Sequence, residues 1–178
     1  MADVMSDVAT NPEISKSIVA GGIRTNYHDQ GEGPPVVFIH GSGPGVSAWA
    51  NWRLILPKMS RKTRTIALDM VGFGFTDRPE NFSYNVEAWV EHLLGFLDAL
   101  GLEQVDLVGN SFGGAISLAA AIRHPARFRR LVLMGSGGIK GPMTPGLDEV
   151  WGYTPSIENM RRLLDIFAYN RDLVNDEL

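Results

Sequence analysis

The chain of 178 residues contains no cysteine. Disulfides, thiolate catalysis and Cys-ligated zinc are therefore excluded, and a reducing compartment such as the cytoplasm suits that usage. Long apolar runs are also lacking: the longest, "AISLAAAI" at 115–122, is far too short to span a bilayer. The opening residues "MADVMSDVATNPEI" show no basic segment followed by an apolar one, so no secretory signal is visible. Nor is there an excess of charge: a formal net charge of -4 gives no reason to expect nucleic acid or a membrane as partner. The densest basic cluster, "RFRR" at 127–130, suits a solvated helix-to-strand junction. The four histidines, His28, His40, His92 and His124, lack metal-ligand spacing, so no metal is expected. What remains is an ordinary globular composition, 44% hydrophobic and 20% charged, long enough for one domain with a sizeable core and short for two.

Strand and helix patterns alternate along the chain. "ISKSIVA" and "IRTNYHDQ", separated by Gly21-Gly22, read as a hairpin. "VVFIH" at 36–40 is a short apolar run of the kind that buried parallel strands show. A glycine-rich loop follows, then a helical pattern through Trp49, Trp52, Leu54 and Leu56, then the strand "RTIALD" at 64–69. Asn85 is a candidate N-cap for a helix with Trp89, Val90, Leu93, Leu94, Leu97 and Leu100 on one face, ended by Gly101. "VDLVG" at 105–109 is a strand, "SFGGAISLAAAIRH" its helix, and "RLVLMGS" at 130–136 another strand. This alternation predicts a mostly parallel α/β sheet over residues 1–136. From 137 the character changes: "GGIKGPMTPG" reads as loop. "TPSIENMRRLLDIFAY" reads as an amphipathic helix with Thr154 as cap, Pro155 at its first position, and Ile157, Met160, Leu164 and Phe167 on one side. Residues 137–178 are expected to form the start of a helical lid.

The chemistry concentrates in two loops. Gly109-Asn110-Ser111-Phe112-Gly113 matches G-x-S-x-G between a strand and a helix. Small flanking residues allow a sharp turn that lifts Ser111 above the strand end, where the helix N-terminus favours developing negative charge. A packing turn without chemistry would need the same glycines, but the strand–turn–helix context favours a nucleophile. "HGSGPG" at 40–45 follows the first central strand, where backbone N–H groups can complete an oxyanion hole. The same stretch also satisfies G-x-G-x-x-A, from Gly43 to Ala48, with Asp69 at a strand end about 20 residues on, so a dinucleotide-binding oxidoreductase is the alternative of another class. Against it, Pro44 removes an N–H where pyrophosphate would need one, and Ser111 is left without a role. His40 is expected to hydrogen-bond beneath the loop as a structural residue, and His92 and His124 to be surface or cap residues. None is a convincing general base.

Together, "HGSGPGVSAWANWR", "DMVGFGFTDRP", "DLVGNSFGGA" and "VWGYTPSIENMRRLLDIFAYNRDLVNDEL" resemble the α/β-hydrolase fold, and within it the meta-cleavage product hydrolases of aromatic degradation. The likeness runs from about Pro12 to the end and is greatest to 2-hydroxymuconic semialdehyde hydrolases and cumene-pathway hydrolases. The resemblance implies cofactor-free cleavage of a C–C bond in a 2-hydroxy-6-oxo-dienoate. It implies Ser111 as nucleophile and the N–H groups of Ser42 and Phe112 as the oxyanion hole. Gly43, Asn51, Asn110, Trp151 and Phe167 would lie around the substrate, the last two on the lid side. A carboxylesterase is the alternative within the same fold. The family implies a small-molecule substrate and, in a full-length parent, a homo-oligomer.

In that pattern the acid and base follow the nucleophile on strands beyond the lid. No histidine follows Ser111 here except His124, at the far end of the nucleophile's own helix. The chain is thus expected to be the N-terminal portion of a hydrolase, without the C-terminal strands and the catalytic Asp and His, and inactive alone.

Overall fold

The computed structural model describes residues 11–43 and 45–173. They form a six-stranded sheet with strands in the order β1-β2-β4-β3-β5-β6. β1 (Lys16–Ala20) and β2 (Ile23–Gln30) make the expected hairpin, turning at Gly21 and Gly22 with φ of 57° and 85°. β2 runs antiparallel to β4 (Arg64–Leu68), and from there the sheet is parallel through β3 (Pro35–Ile39), β5 (Val105–Asn110) and β6 (Phe128–Met134).

Two-residue alternation decides which face each strand residue serves. Val37, Ile39, Ile66, Leu68 and Leu107 point to one face, where α3 (Val86–Ala99) and α4 (Phe112–Arg123) cover them with Val90, Leu93, Phe96, Leu97, Ile116 and Ala120. Val36, Phe38 and Ala67 point to the other, under Ala48 and Trp52 of α1 (Ala48–Trp52) and Leu56 of α2 (Leu56–Met59). β3 is therefore buried on both sides, as its unbroken apolar run requires. The helical pattern expected through Trp49–Leu56 is in fact two short helices. Leu54 and Ile55 lie outside both and are exposed, whereas Ala48, Trp52 and Leu56 reach the core and Trp49 packs against it.

Asn85 caps α3 by accepting from the Ala88 N–H, and Gly101 follows its end at φ 66°. β6 lies at the sheet edge and exposes Val132, Leu133 and Met134.

The chain divides into two compact units, Met1–Ile139 and Lys140–Leu178. The second contains α5 (Pro145–Trp151) and α6 (Ile157–Phe167). α5 begins within the last two residues of the stretch read as loop and runs on through residues given no reading. Thr144 accepts from Leu147 N–H, Pro145 takes the first turn and Asp148 adds an acid there, so three ordinary start signals coincide. α6 corrects a second expectation. Its cap is Ser156, whose Oγ accepts from Asn159 N–H at 3.0 Å, so Thr154 and Pro155 lie before the helix. Its buried side chain is Leu163, whereas Ile157 and Phe167 are largely exposed within this unit.

Candidate active site

Ser111 sits where β5 passes into α4. Its backbone has φ 51° and ψ −111°, and it is the one non-glycine residue with positive φ among the described residues. Such a conformation costs an L-residue on the order of 1–3 kcal/mol, and it persists here because the surroundings hold it. The Ser111 N–H donates to Met134 O at 2.9 Å, and its carbonyl accepts from Gly137 and Ala115 N–H at 3.1 and 3.2 Å. Close packing fixes the turn further. A Cβ on Gly113 would stand 2.5 Å from His40 O, and one on Gly109 would stand 2.5 Å from Ser117 Oγ. Only glycine lets β3, β5 and α4 approach so closely. The Ser111 side chain is exposed and neither caps α4 nor bonds to any described residue.

The loop after β3 lies alongside. Gly41 is close enough that a Cβ there would be 3.5 Å from Ser111 Cβ. Asn51 ties the two loops together: its Oδ1 accepts from Gly41 N–H at 2.9 Å and from Asn110 Nδ2 at 3.0 Å. The Gly41 N–H can only meet an oxygen, so it fixes which way the Asn51 amide faces, and Asn51 in turn fixes Asn110. Asn51 Nδ2 and Asn110 Oδ1 have no partner among the described residues. The N–H groups of Ser42 and of Phe112, the first residue of α4, have no acceptor among the described residues. The Phe112 ring is held by Trp89 at 4.7 Å and Phe73 at 5.3 Å between centroids.

The histidines are occupied elsewhere. His40 is fully buried, with Nδ1 2.6 Å from Gly41 O and Nε2 accepting from Met70 N–H at 3.0 Å, so it is a structural residue beneath the loop. His92 corrects the expectation of a surface position. It is 3% exposed, accepts from Val71 N–H through Nδ1 at 3.3 Å and meets Thr25 Oγ1 through Nε2 at 2.9 Å. Burial pushes its pKa down to about 4 and lowers that of His40 as well. His28 bonds to Glu13 O and lies against the Trp49 ring, and His124 is exposed at the end of α4.

Asp69 also departs from one of its readings. It is fully buried, and its carboxylate accepts from Ala48 N–H at 2.6 Å, Phe75 N–H at 2.8 Å and Asn26 Nδ2 at 2.9 Å. Fully buried beneath these three donors, it presents no exposed edge to a ribose. Pro44 lies outside the described residues, as does the Trp151 side chain. Of the sequence-predicted site residues, Ser42, Gly43, Asn51, Asn110, Ser111 and Phe112 fall on the two loops and on α1 beside them. Trp151 and Phe167 end α5 and α6 in the second unit. Sequence reading missed Phe73 and His92. The only signal for Phe73 was its place in "VGFGFTDRP", a loop following a central strand.

A mostly parallel α/β sheet carries a strained serine at a strand–helix elbow, beside a second loop whose Ser42 N–H has no acceptor among the described residues, and this is the architecture in which the G-x-S-x-G elbow occurs. The description of the α/β-hydrolase fold matches residues 34–156, and the chain belongs to that family. It is 62% identical over 98% of its length to 2-hydroxymuconate semialdehyde hydrolase of Pseudomonas sp. strain CF600, covering 62% of that protein. It is 64% identical to 2-hydroxy-6-oxo-2,4-heptadienoate hydrolase of Pseudomonas putida F1, over 94% of this chain and 61% of that one. Among solved structures it superimposes with a TM-score of 0.89 on a variant of the meta-cleavage product hydrolase of Pseudomonas fluorescens IP01. That match has 62% identity and covers 94% of this chain and 61% of the other. The chain thus spans about three-fifths of the length of these relatives.

Proposed function

We propose that this chain supplies the nucleophile, the oxyanion hole and part of the substrate pocket of a C–C bond hydrolase acting on 2-hydroxy-6-oxo-dienoates. The observation that carries the reading is Ser111: an exposed hydroxyl on a strained elbow, clamped through Asn110 and Asn51 to the loop that bears Ser42. In this scheme the dienol first tautomerises to a ketone, which gives the breaking bond an electron sink. Ser111 Oγ, its proton taken by a base, adds to the 6-oxo carbon, and the resulting oxyanion lies against the N–H groups of Ser42 and Phe112. The C–C bond then breaks toward the sink and the carbon fragment takes up a proton. Water cleaves the acyl-serine to release the carboxylic acid. Asn51 Nδ2 and Asn110 Oδ1 face the hydroxy-dienoate end beside Gly43.

The base is not among the described histidines, all four of which are engaged elsewhere or stand at a helix end. The 178 residues by themselves therefore have no appreciable turnover, since an oxyanion hole without its base retains roughly 10³–10⁴-fold over water. The complete protein acts on a small molecule in the cytoplasm as a homo-oligomer, without a cofactor.

The test joins residues 1–178 to the remaining C-terminal part of the CF600 relative and mixes the product with a coloured ring-fission dienolate. Bleaching is expected, and Ser111→Ala lowers kcat by about 10⁴ or more with KM largely kept. Turnover of simple esters without bleaching would instead identify a carboxylesterase. Saturable quenching of tryptophan fluorescence by a nicotinamide dinucleotide would identify an oxidoreductase.

A further inference from the structure

The Ser42 N–H belongs to the peptide that also carries the Gly41 carbonyl. No peptide bond among the described residues is cis, so that carbonyl and that N–H point in opposite directions from one rigid plane. Whatever grips the carbonyl aims the N–H. The grip comes from His40, with Nδ1 2.6 Å from Gly41 O. At the other end of the ring, Met70 N–H donates to Nε2 at 3.0 Å. A backbone N–H can only donate, so Nε2 carries no proton and Nδ1 must carry it. The tautomer is thus set by the chain leaving β4. The ring has no freedom to tilt: it is fully buried, meets the Phe73 ring edge-on at 5.2 Å, and its own carbonyl lies against Gly113. Asn51 holds the Gly41 N–H on the preceding peptide, so the unit bearing the Ser42 donor is fixed from both neighbouring groups.

We infer that His40 is a positioning residue for the oxyanion hole: through Nδ1–H···O=C of Gly41 it orients the Gly41–Ser42 peptide so that the Ser42 N–H faces the oxygen of the carbonyl that Ser111 attacks. The inference rests on the reading of Ser42 as an oxyanion donor given above. A row of aligned dipoles runs from Met70 N–H through the imidazole and the Gly41–Ser42 peptide, and each bond polarises the next. His40 therefore acts on the reaction without touching the substrate.

Two substitutions separate the ends of the ring. In His40→Asn the side-chain Nδ2 takes the place of Nδ1 and keeps the donor to Gly41, while Met70 loses its acceptor. In His40→Gln the side chain reaches the Nε2 position and keeps an acceptor for Met70, while Gly41 loses its donor. In the fusion protein described above, His40→Gln is expected to lower kcat by on the order of 10²-fold with KM within about threefold, the scale of a lost oxyanion donor. His40→Asn is expected to stay within about tenfold of wild type in kcat even where it melts lower. If kcat instead follows melting temperature in both variants, His40 is a fold residue only and the inference falls. Replacing the amide at residue 42 by an ester removes the Ser42 N–H directly. A normal kcat there sinks the oxyanion reading itself, whereas a lowered kcat beside a normal His40→Gln sinks only the role of His40. A readout free of turnover uses the 178-residue chain. Long-range ¹⁵N–¹H NMR is expected to place the His40 proton on Nδ1, with the Ser42 amide resonance displaced in His40→Gln and retained in His40→Asn. A proton on Nε2, or a Ser42 amide indifferent to both changes, overturns the inference.

Discussion

Ser111 holds backbone strain that a substitution can release. At φ 51° and ψ −111° it lies in the left-handed half of conformational space, and its ψ is far from the +30 to +60° of the small left-handed helical well. An L-residue so placed carries on the order of 1–3 kcal/mol. Glycine removes the Cβ responsible, but its freer unfolded chain gives back roughly 0.5–1 kcal/mol. Ser111→Gly is therefore expected to stabilise the 178-residue chain by about 1 kcal/mol, from a range of roughly 0–2.5 kcal/mol. Ser111→Ala is the control. It keeps the Cβ and discards only a hydroxyl that is exposed and makes no cap bond, so it should lie within about 0.5 kcal/mol of wild type. For a domain of this size 1 kcal/mol moves the melting temperature by roughly 2–4 °C. The glycine variant should then melt above the alanine variant by a few degrees, read by circular dichroism and by urea titration of all three proteins. A glycine variant no more stable than the alanine one would show that the elbow is unstrained and would remove that part of the argument.

Three further outcomes follow from the buried polar groups and the close packing. His92 has a folded pKa of about 4 against an ordinary value near 6.5, so the unfolded chain binds the proton more readily. Its contribution is complete above about pH 6.5 and falls away as pH drops toward 4, by about 3 kcal/mol in all. Urea midpoints at pH 7 and pH 4.5 should show the loss, and His92→Gln should flatten it. Asp69→Ala leaves the N–H groups of Ala48 and Phe75 and the Asn26 amide without their acceptor. It should destabilise by about 3–5 kcal/mol in chemical denaturation. Gly113→Ala drives a methyl into the carbonyls of Ile39 and His40, so soluble yield should collapse, or the melting temperature fall by 10 °C or more, if the packing is as close as described.

How far the sequence could be read depended on whether the cause of a feature was local. The hairpin at Gly21-Gly22, the cap at Asn85 and the elbow at Gly109–Gly113 are each specified by neighbours a few residues apart, and each is where the pattern placed it. His92 and Asp69 are specified by partners far along the chain: Thr25 and Val71 for one, Asn26 and Ala48 for the other. On the page His92 is a polar residue in an amphipathic helix, and nothing near it announces that two distant groups will enclose it. α5 is different: its Thr144-Pro145 start is a local signal, yet it lies at the end of the stretch read as loop. The clamp of Asn51 on Gly41 and Asn110 belongs with the distant cases. The resemblance placed both asparagines near the substrate, and only the structure shows that they hold each other.

The strand order has a consequence for how the chain is made. β3 carries the oxyanion loop and β5 carries the serine, and the two are neighbours in the sheet with Ile39 beside Gly109. At a synthesis rate of about 5–20 residues per second, Gly109 follows Ile39 out of the ribosome by roughly 4–14 s. During that interval β3 can pair with β4 on one side, but its other edge has no partner, and both of its faces are apolar. An open apolar edge is a template for the wrong strand. Nascent chains paused between β4 and β5 should therefore be the ones that chaperones hold or that aggregate, and synonymous codons that slow translation across 70–104 should lower soluble yield without changing a single residue.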